Sequence, residues 1–158
     1  MIHLWFVCMG NICRSPTAHA VMQRAVEARG WTPWVTVHSA GTHAYHVGEP
    51  PDPRSVKHGA TRGLDLTALR AQQLRPEDIE QAHLVLVMDW DNLALVQDMA
   101  PARHHPKIKR LTEFCSRFEA TVVPDPYLGG AAGFEEVLDL VEDACEGLLT
   151  HLAGLPKK

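Results

Sequence analysis

"IHLWFVCMGNICRSP", residues 2 to 16, joins an apolar run to a helix start through one short loop. Residues 2–7 are apolar apart from His3, the pattern of a short strand buried on both faces. The run ends at Cys8. Ser15 then reads as a helix N-cap, with Pro16 at the first helical position. Ala18, Val21, Met22, Ala25 and Val26 keep helical spacing as far as Gly30, where the helix stops. Strand, tight loop and helix in this order form the opening unit of a parallel sheet.

The rest of the chain continues the alternation. Val35–Ser39 reads as a second strand, and Asp52-Pro53 opens a helix running to about Gly63. "RPEDIEQA" (75–82) is a short helix started by Pro76, "LVLVM" (84–88) a buried strand and "WDNLALVQDMA" (90–100) a helix. "IKRL" (108–111) is a short fourth strand. Phe134, Val137, Leu138, Val141, Cys145, Leu148, Leu149 and Leu152 then stripe a long last helix that starts near residue 133. The expected architecture is α/β: a single domain over residues 1–158, with a short four-stranded parallel sheet and helices on both faces. Ligands of such folds bind beyond the carboxyl ends of the strands, which places the loop after the first strand at the site.

Composition sets the boundaries. The chain has 158 residues, 46% hydrophobic and 22% charged, as in ordinary globular proteins. A net charge of −4 argues against a nucleic-acid partner bound through phosphate attraction. No apolar run approaches the roughly 20 residues that span a bilayer, and the N-terminus lacks signal-peptide features, so a cytoplasmic setting is expected. Four cysteines (Cys8, Cys13, Cys115, Cys145) without a C-x-x-C fit a reduced compartment, where a loop cysteine is more often chemical than structural.

The loop carries the chemistry. Backbone N–H groups around Gly10, at the positive end of a helix dipole, make a concavity suited to an anion, so this is a phosphate-binding loop. A thiol at its base, Cys8, is favoured as the thiolate and becomes a nucleophile. Ser15 can donate a hydrogen bond to that sulfur. Arg14 offers a planar fork for two oxygens of a tetrahedral oxyanion. Thiolate, cradle and guanidinium together suit attack on phosphorus.

Cys8-Met9-Gly10-Asn11-Ile12-Cys13-Arg14-Ser15-Pro16 resembles the C-x5-R-S signature of the low-molecular-weight protein tyrosine phosphatases. "SAGT" (39–42), "YHVGEPPDPR" (45–54), "VLVMD" (85–89) and "PDPY" (124–127) match in the family's order, so the resemblance covers essentially the whole length. It implies a protein tyrosine phosphatase with a phosphocysteine intermediate on Cys8, Arg14 on the phosphoryl group and Asp125 as general acid. Substrate binding would fall to the loop residues Met9, Gly10, Asn11, Ile12, Cys13 and Ser15, with Tyr45 and Tyr127 walling the pocket. Asn11 would hold the loop and Ser15 would steady the thiolate. The expected partner is a phosphotyrosine-containing protein, without nucleic acid or membrane insertion, met by a monomer or weak dimer. No metal and no cofactor are implied. The resemblance also suggests a reversible Cys8–Cys13 disulfide that protects the nucleophile.

Two "PDP" tripeptides compete for the acid. Asp52 is accounted for as an N-cap before Pro53. Pro126 biases Asp125 toward an extended conformation on a stiff loop; the local pattern leaves a turn residue and a catalytic acid equally open, and the resemblance favours the acid. Cys115, on the stripe Leu111, Phe114, Cys115, Phe118, and Cys145, on the last helix, read as core. His104-His105 has no zinc-like partner spacing and reads as surface loop. Two positions depart from the family: Leu69 stands where many relatives have a histidine bracing the phosphate loop, and Leu128 where an aromatic often follows the tyrosine. Alternatives on the same fold are an arsenate reductase, which needs further accessible thiols, and a phosphoarginine phosphatase, which the resemblance associates with threonine at the Ile12 position. A phosphopeptide-binding module is a fourth reading, which turnover would exclude.

Overall fold

The computed structural model describes residues 1–127 and 129–155. Four strands, β1 (Ile2–Cys8), β2 (Val35–Gly41), β3 (Leu84–Val87) and β4 (Ile108–Arg110), pair in parallel in the order β2-β1-β3-β4. The helices are α1 (Arg14–Ala28), α2 (Pro53–Ala60), α3 (Pro76–Gln81), α4 (Trp90–Met99) and α5 (Ala131–Ala153). Two 3₁₀ turns, Ala102–Lys107 and Leu111–Phe114, flank β4.

The alternation of β1 sorts the core into two layers. Leu4, Phe6 and Cys8 share a cluster with Val21 and Met22 of α1 and with Leu138, Val141 and Leu148 of α5. Trp5 and Val7 point the other way, onto Ile79 of α3 and Val96 of α4. A strand flanked on both faces has no polar side to show, which is why residues 2–7 read as an almost unbroken apolar run. Burying β1 between two strands and two helix layers also makes its carboxyl end, at Cys8, a fixed point.

Asp52 caps α2 as the sequence implies, its carboxylate accepting from the Arg54 backbone N–H at 2.8 Å. Ser15 does not cap α1. The helix begins two residues earlier than expected, at Arg14 with Cys13 as N-cap and no side-chain cap, because the Ser15 hydroxyl is committed elsewhere. The stripe Leu111, Phe114, Cys115, Phe118 is not a helix either. Only the 3₁₀ turn Leu111–Phe114 forms, since buried Asp143 of α5 accepts the backbone N–H groups of Ser116, Arg117 and Phe118 at 3.0–3.2 Å and fixes them in irregular backbone. Phe118 is left exposed, and Cys115 is half-buried against the core. His105 is anchored by ring contacts to the Gln97 and Ala100 carbonyls at the end of α4. Leu128 lies outside the described residues.

Candidate active site

The first helix leaves β1 through the loop 9–13, and the way that loop is held decides what it can do. Asn11 adopts φ +58°, the left-handed region that asparagine tolerates better than most residues. Its side chain is used twice. Nδ2 donates to Ser15 Oγ at 2.7 Å, and Oδ1 accepts from the Gln72 backbone N–H at 3.0 Å. Gln72 is itself tacked to β2, its Nε2 donating to the Ser39 carbonyl at 2.9 Å. The brace left open by Leu69 is therefore a main-chain amide. Leu69 packs instead against the apolar cluster below α1.

With Asn11 donating to the Ser15 oxygen, the Ser15 hydrogen is free for Cys8 Sγ at 3.0 Å, a closer partner than the Ala40 carbonyl at 3.4 Å. That geometry turns the hydroxyl hydrogen toward the sulfur. The uncapped first turn of α1 adds amides without intrahelical partners at the same place. On the strand side, Gly41 sits opposite Cys8 in the β1–β2 register. A Cβ there would stand 2.7 Å from the Met9 carbonyl oxygen and 3.1 Å from the Gly10 carbonyl carbon, so only glycine lets β2 run this close under the loop.

Arg14 is 2% exposed and fully engaged on one side. Its Nη1 donates to Asp89 Oδ2 at 2.6 Å and to the Val123 carbonyl at 2.9 Å. Asp89 is also the N-cap of α4, accepting from Asn92 N–H at 2.8 Å. Arg14 Nη2 lies 3.8 Å from Asp125 Oδ2. Asp125 keeps a 41% exposed side chain, and its Oδ1 accepts from the Tyr127 N–H at 3.0 Å. The carboxyl thus hangs over the guanidinium with one edge toward solvent.

These groups meet in one cavity of about 350 Å³. Cys8, Met9, Gly10, Ile12, Cys13, Arg14, Tyr45, Asp125 and Tyr127 line it, together with His46, which sequence reasoning passed over. The signal for His46 was its place between Tyr45 and Gly48 in a loop already taken as pocket wall; its ring lies 2.7 Å from Glu49 Oε2. Asn11 and Ser15 do not line the opening: both are buried behind the loop and shape it from there. The role of Asp89 was not foreseen, although "VLVMD" placed an acid at a strand end.

The remaining thiols differ in kind. Burial, with the Asp52 charge adding to it, pushes the Cys13 thiol up to about 12. Burial likewise pushes Cys115 up to about 11 and raises Cys145 well above its ordinary range. Cys115 and Cys145 belong to the α1–α5 core and its edge, outside the cavity lining. Among the described residues, no three or more His, Cys, Asp or Glu side chains are grouped to hold a metal, and no helix is long and apolar enough to cross a membrane.

The family model for low molecular weight phosphotyrosine protein phosphatases matches residues 3–157. A putative low molecular weight protein-tyrosine-phosphatase of Synechocystis is 46% identical over 151 residues, covering 94% of this chain and 95% of the relative. The low molecular weight protein-tyrosine-phosphatase YfkJ of Bacillus subtilis is 33% identical, with 96% of each chain covered. Among solved structures, a protein tyrosine phosphatase from Entamoeba histolytica with Hepes in the active site superposes with a TM-score of 0.94 at 38% identity, covering 97% of each chain.

Proposed function

The chain belongs to the low molecular weight phosphotyrosine protein phosphatase family, and from that premise we propose that its residues 1–158 act as one domain hydrolysing phosphotyrosine in proteins, and small aryl phosphates, through a phosphocysteine on Cys8. The observation that carries the proposal is the convergence of Cys8, Arg14 and Asp125 on one cavity. A phosphoryl group in the cradle meets the loop amides and the free edge of Arg14, which compensate its two charges. The Cys8 thiolate attacks phosphorus; the P–S bond forms as the ester P–O bond breaks, and Asp125 gives its proton to the departing phenolate. The Asp125 carboxylate then takes a proton from water, whose oxygen attacks phosphorus, breaking the P–S bond and releasing phosphate and thiolate. Arg14, held by Asp89 and Val123, is oriented before substrate arrives. Tyr45 and Tyr127 supply ring surface at the mouth for the aryl group. Ile12 on the cavity wall supports the tyrosine reading over the arginine one, and the core placement of Cys115 and Cys145 speaks against a thiol relay to arsenate.

The test is hydrolysis of p-nitrophenyl phosphate at mildly acidic pH without added metal. Wild type turns over, Cys8→Ser is inactive, and Asp125→Ala loses about 100-fold in kcat/KM. A wild-type protein that is inert with every thiol reduced would sink the proposal.

A further inference from the structure

Within its own loop the Asp125 carboxylate accepts from the Tyr127 N–H. Arg14 and Met88 hold that loop on its N-terminal side through Val123, which leaves its C-terminal side to be held from elsewhere. We propose that Arg54 is the positioning residue there. It rests on the reading of Asp125 as general acid.

Arg54 bridges two loops. On one side its Nε donates to Asp52 Oδ1 at 3.0 Å and its Nη2 to Asp52 Oδ2 at 2.9 Å. The Asp52 backbone N–H donates in turn to the Ile12 carbonyl at 2.8 Å, inside the phosphate loop. On the other side Nη2 donates to the Tyr127 carbonyl at 2.9 Å and Nη1 reaches the Gly129 carbonyl at 3.5 Å. The guanidinium also lies over the Tyr127 ring at 5.5 Å and over Phe134, at the start of α5, at 4.7 Å. A path of hydrogen bonds thus runs from the nucleophile's loop to the carbonyls of Tyr127 and Gly129, just past Asp125. Among the described residues, no other side chain donates to the main-chain carbonyl of Tyr127 or Gly129.

Three features separate this role from a structural one. The Arg54 side chain is 44% exposed, so its ion pair with Asp52 contributes little to folding. The N-cap of α2 uses the Arg54 backbone N–H, which any substitution but proline keeps. The two-sided grip needs a planar fork, since one ammonium cannot hold a carboxylate, a carbonyl and a ring face together. Arg54 makes no hydrogen bond to the loop 9–13; it acts through the loop that carries Asp125 and Tyr127.

The experiment compares kcat/KM, which reports the step up to the phosphocysteine, for phenyl phosphate and dinitrophenyl phosphate. Phenolate needs a proton to leave, and dinitrophenolate does not. Arg54→Ala is expected to lose about 30-fold on phenyl phosphate and less than about 3-fold on dinitrophenyl phosphate, with inhibition by inorganic phosphate unchanged. In an Asp125→Ala background the same substitution should cost nothing further on either ester. If the alanine variant folds poorly, Arg54→Lys carries the same comparison with about a 5-fold selective loss. Equal losses on both esters, or no loss, overturn the inference. Asp125→Ala alone shows where a failure lies: if it lacks the selective loss, the assignment of the acid falls and this inference with it; if it has the loss and Arg54→Ala does not, only Arg54 is wrongly placed.

Discussion

Asn11 concentrates the cost of the phosphate loop in one residue. It holds positive φ, and it is 2% exposed with both ends of its amide hydrogen-bonded. Asn11→Ala should destabilise the protein by about 3 kcal/mol, combining left-handed backbone strain with the lost partners of Ser15 and Gln72. Asn11→Gly should recover about 1 kcal/mol of that, because glycine accepts the backbone angle but offers no amide. Both should lose on the order of 10-fold in kcat/KM, since a relaxed loop misplaces the thiol. Urea unfolding and steady-state kinetics on the two variants check the split; equal stabilities would show that the backbone angle is not where the cost lies. The partner of Asn11 was beyond sequence reasoning for a physical reason. Side-chain identity advertises a side-chain brace, and the missing histidine at Leu69 announced a gap. A backbone N–H is present at every residue but proline, so Gln72 carried no mark.

Among the elements, β2 matters to the site as much as β1. Gly41→Ala would put a methyl group against the Met9 and Gly10 backbone, which cannot rotate away as a side chain could. We expect at least about a 10-fold fall in kcat/KM, a parallel weakening of inhibition by inorganic phosphate and a lower melting temperature; unchanged kinetics would mean the loop has slack that the register does not suggest. The strands and most helices were legible because parallel strands are written as apolar runs and because Pro53 and Pro76 mark helix starts. Asp52 was legible as a cap since its partner lies two residues away. Ser15 was misread as one because its hydroxyl serves Cys8 and Asn11, a demand of the site that overrides the capping preference. The false helical stripe through Cys115 has the opposite origin: the acceptor that straightens residues 116–118 is Asp143, far along the chain and buried in α5. Local pattern cannot see such a competitor.

At the scale of the whole molecule, partly buried histidines weaken the fold as pH falls. His19 of α1 reaches across to Ser39 of β2 at 2.9 Å, and burial, with His38 nearby, lowers its pKa from 6.5 to about 4. The native state therefore binds the His19 proton more weakly than the unfolded chain does. Stability from this group is complete above pH 6.5, falls as pH drops from there toward 4, and changes no further below. The full loss is on the order of 3 kcal/mol. His38 and His83, also lowered by burial, add slope of the same sign. Urea midpoints measured across this range should show a shallower decline for His19→Gln than for wild type; parallel curves would exclude His19 as a contributor. Topology has a further effect, which belongs to the order in which the chain is made. The guanidinium of Arg14 depends on a carbonyl 109 positions downstream and on Asp89 between them. A nascent chain leaving the ribosome exposes its thiol early, yet has no oriented cation to draw phosphate to it until residue 123 has emerged and paired with Met88. The arrangement proposed for catalysis thus comes together late, only once Cys8, Arg14, Asp89 and Val123 are all present.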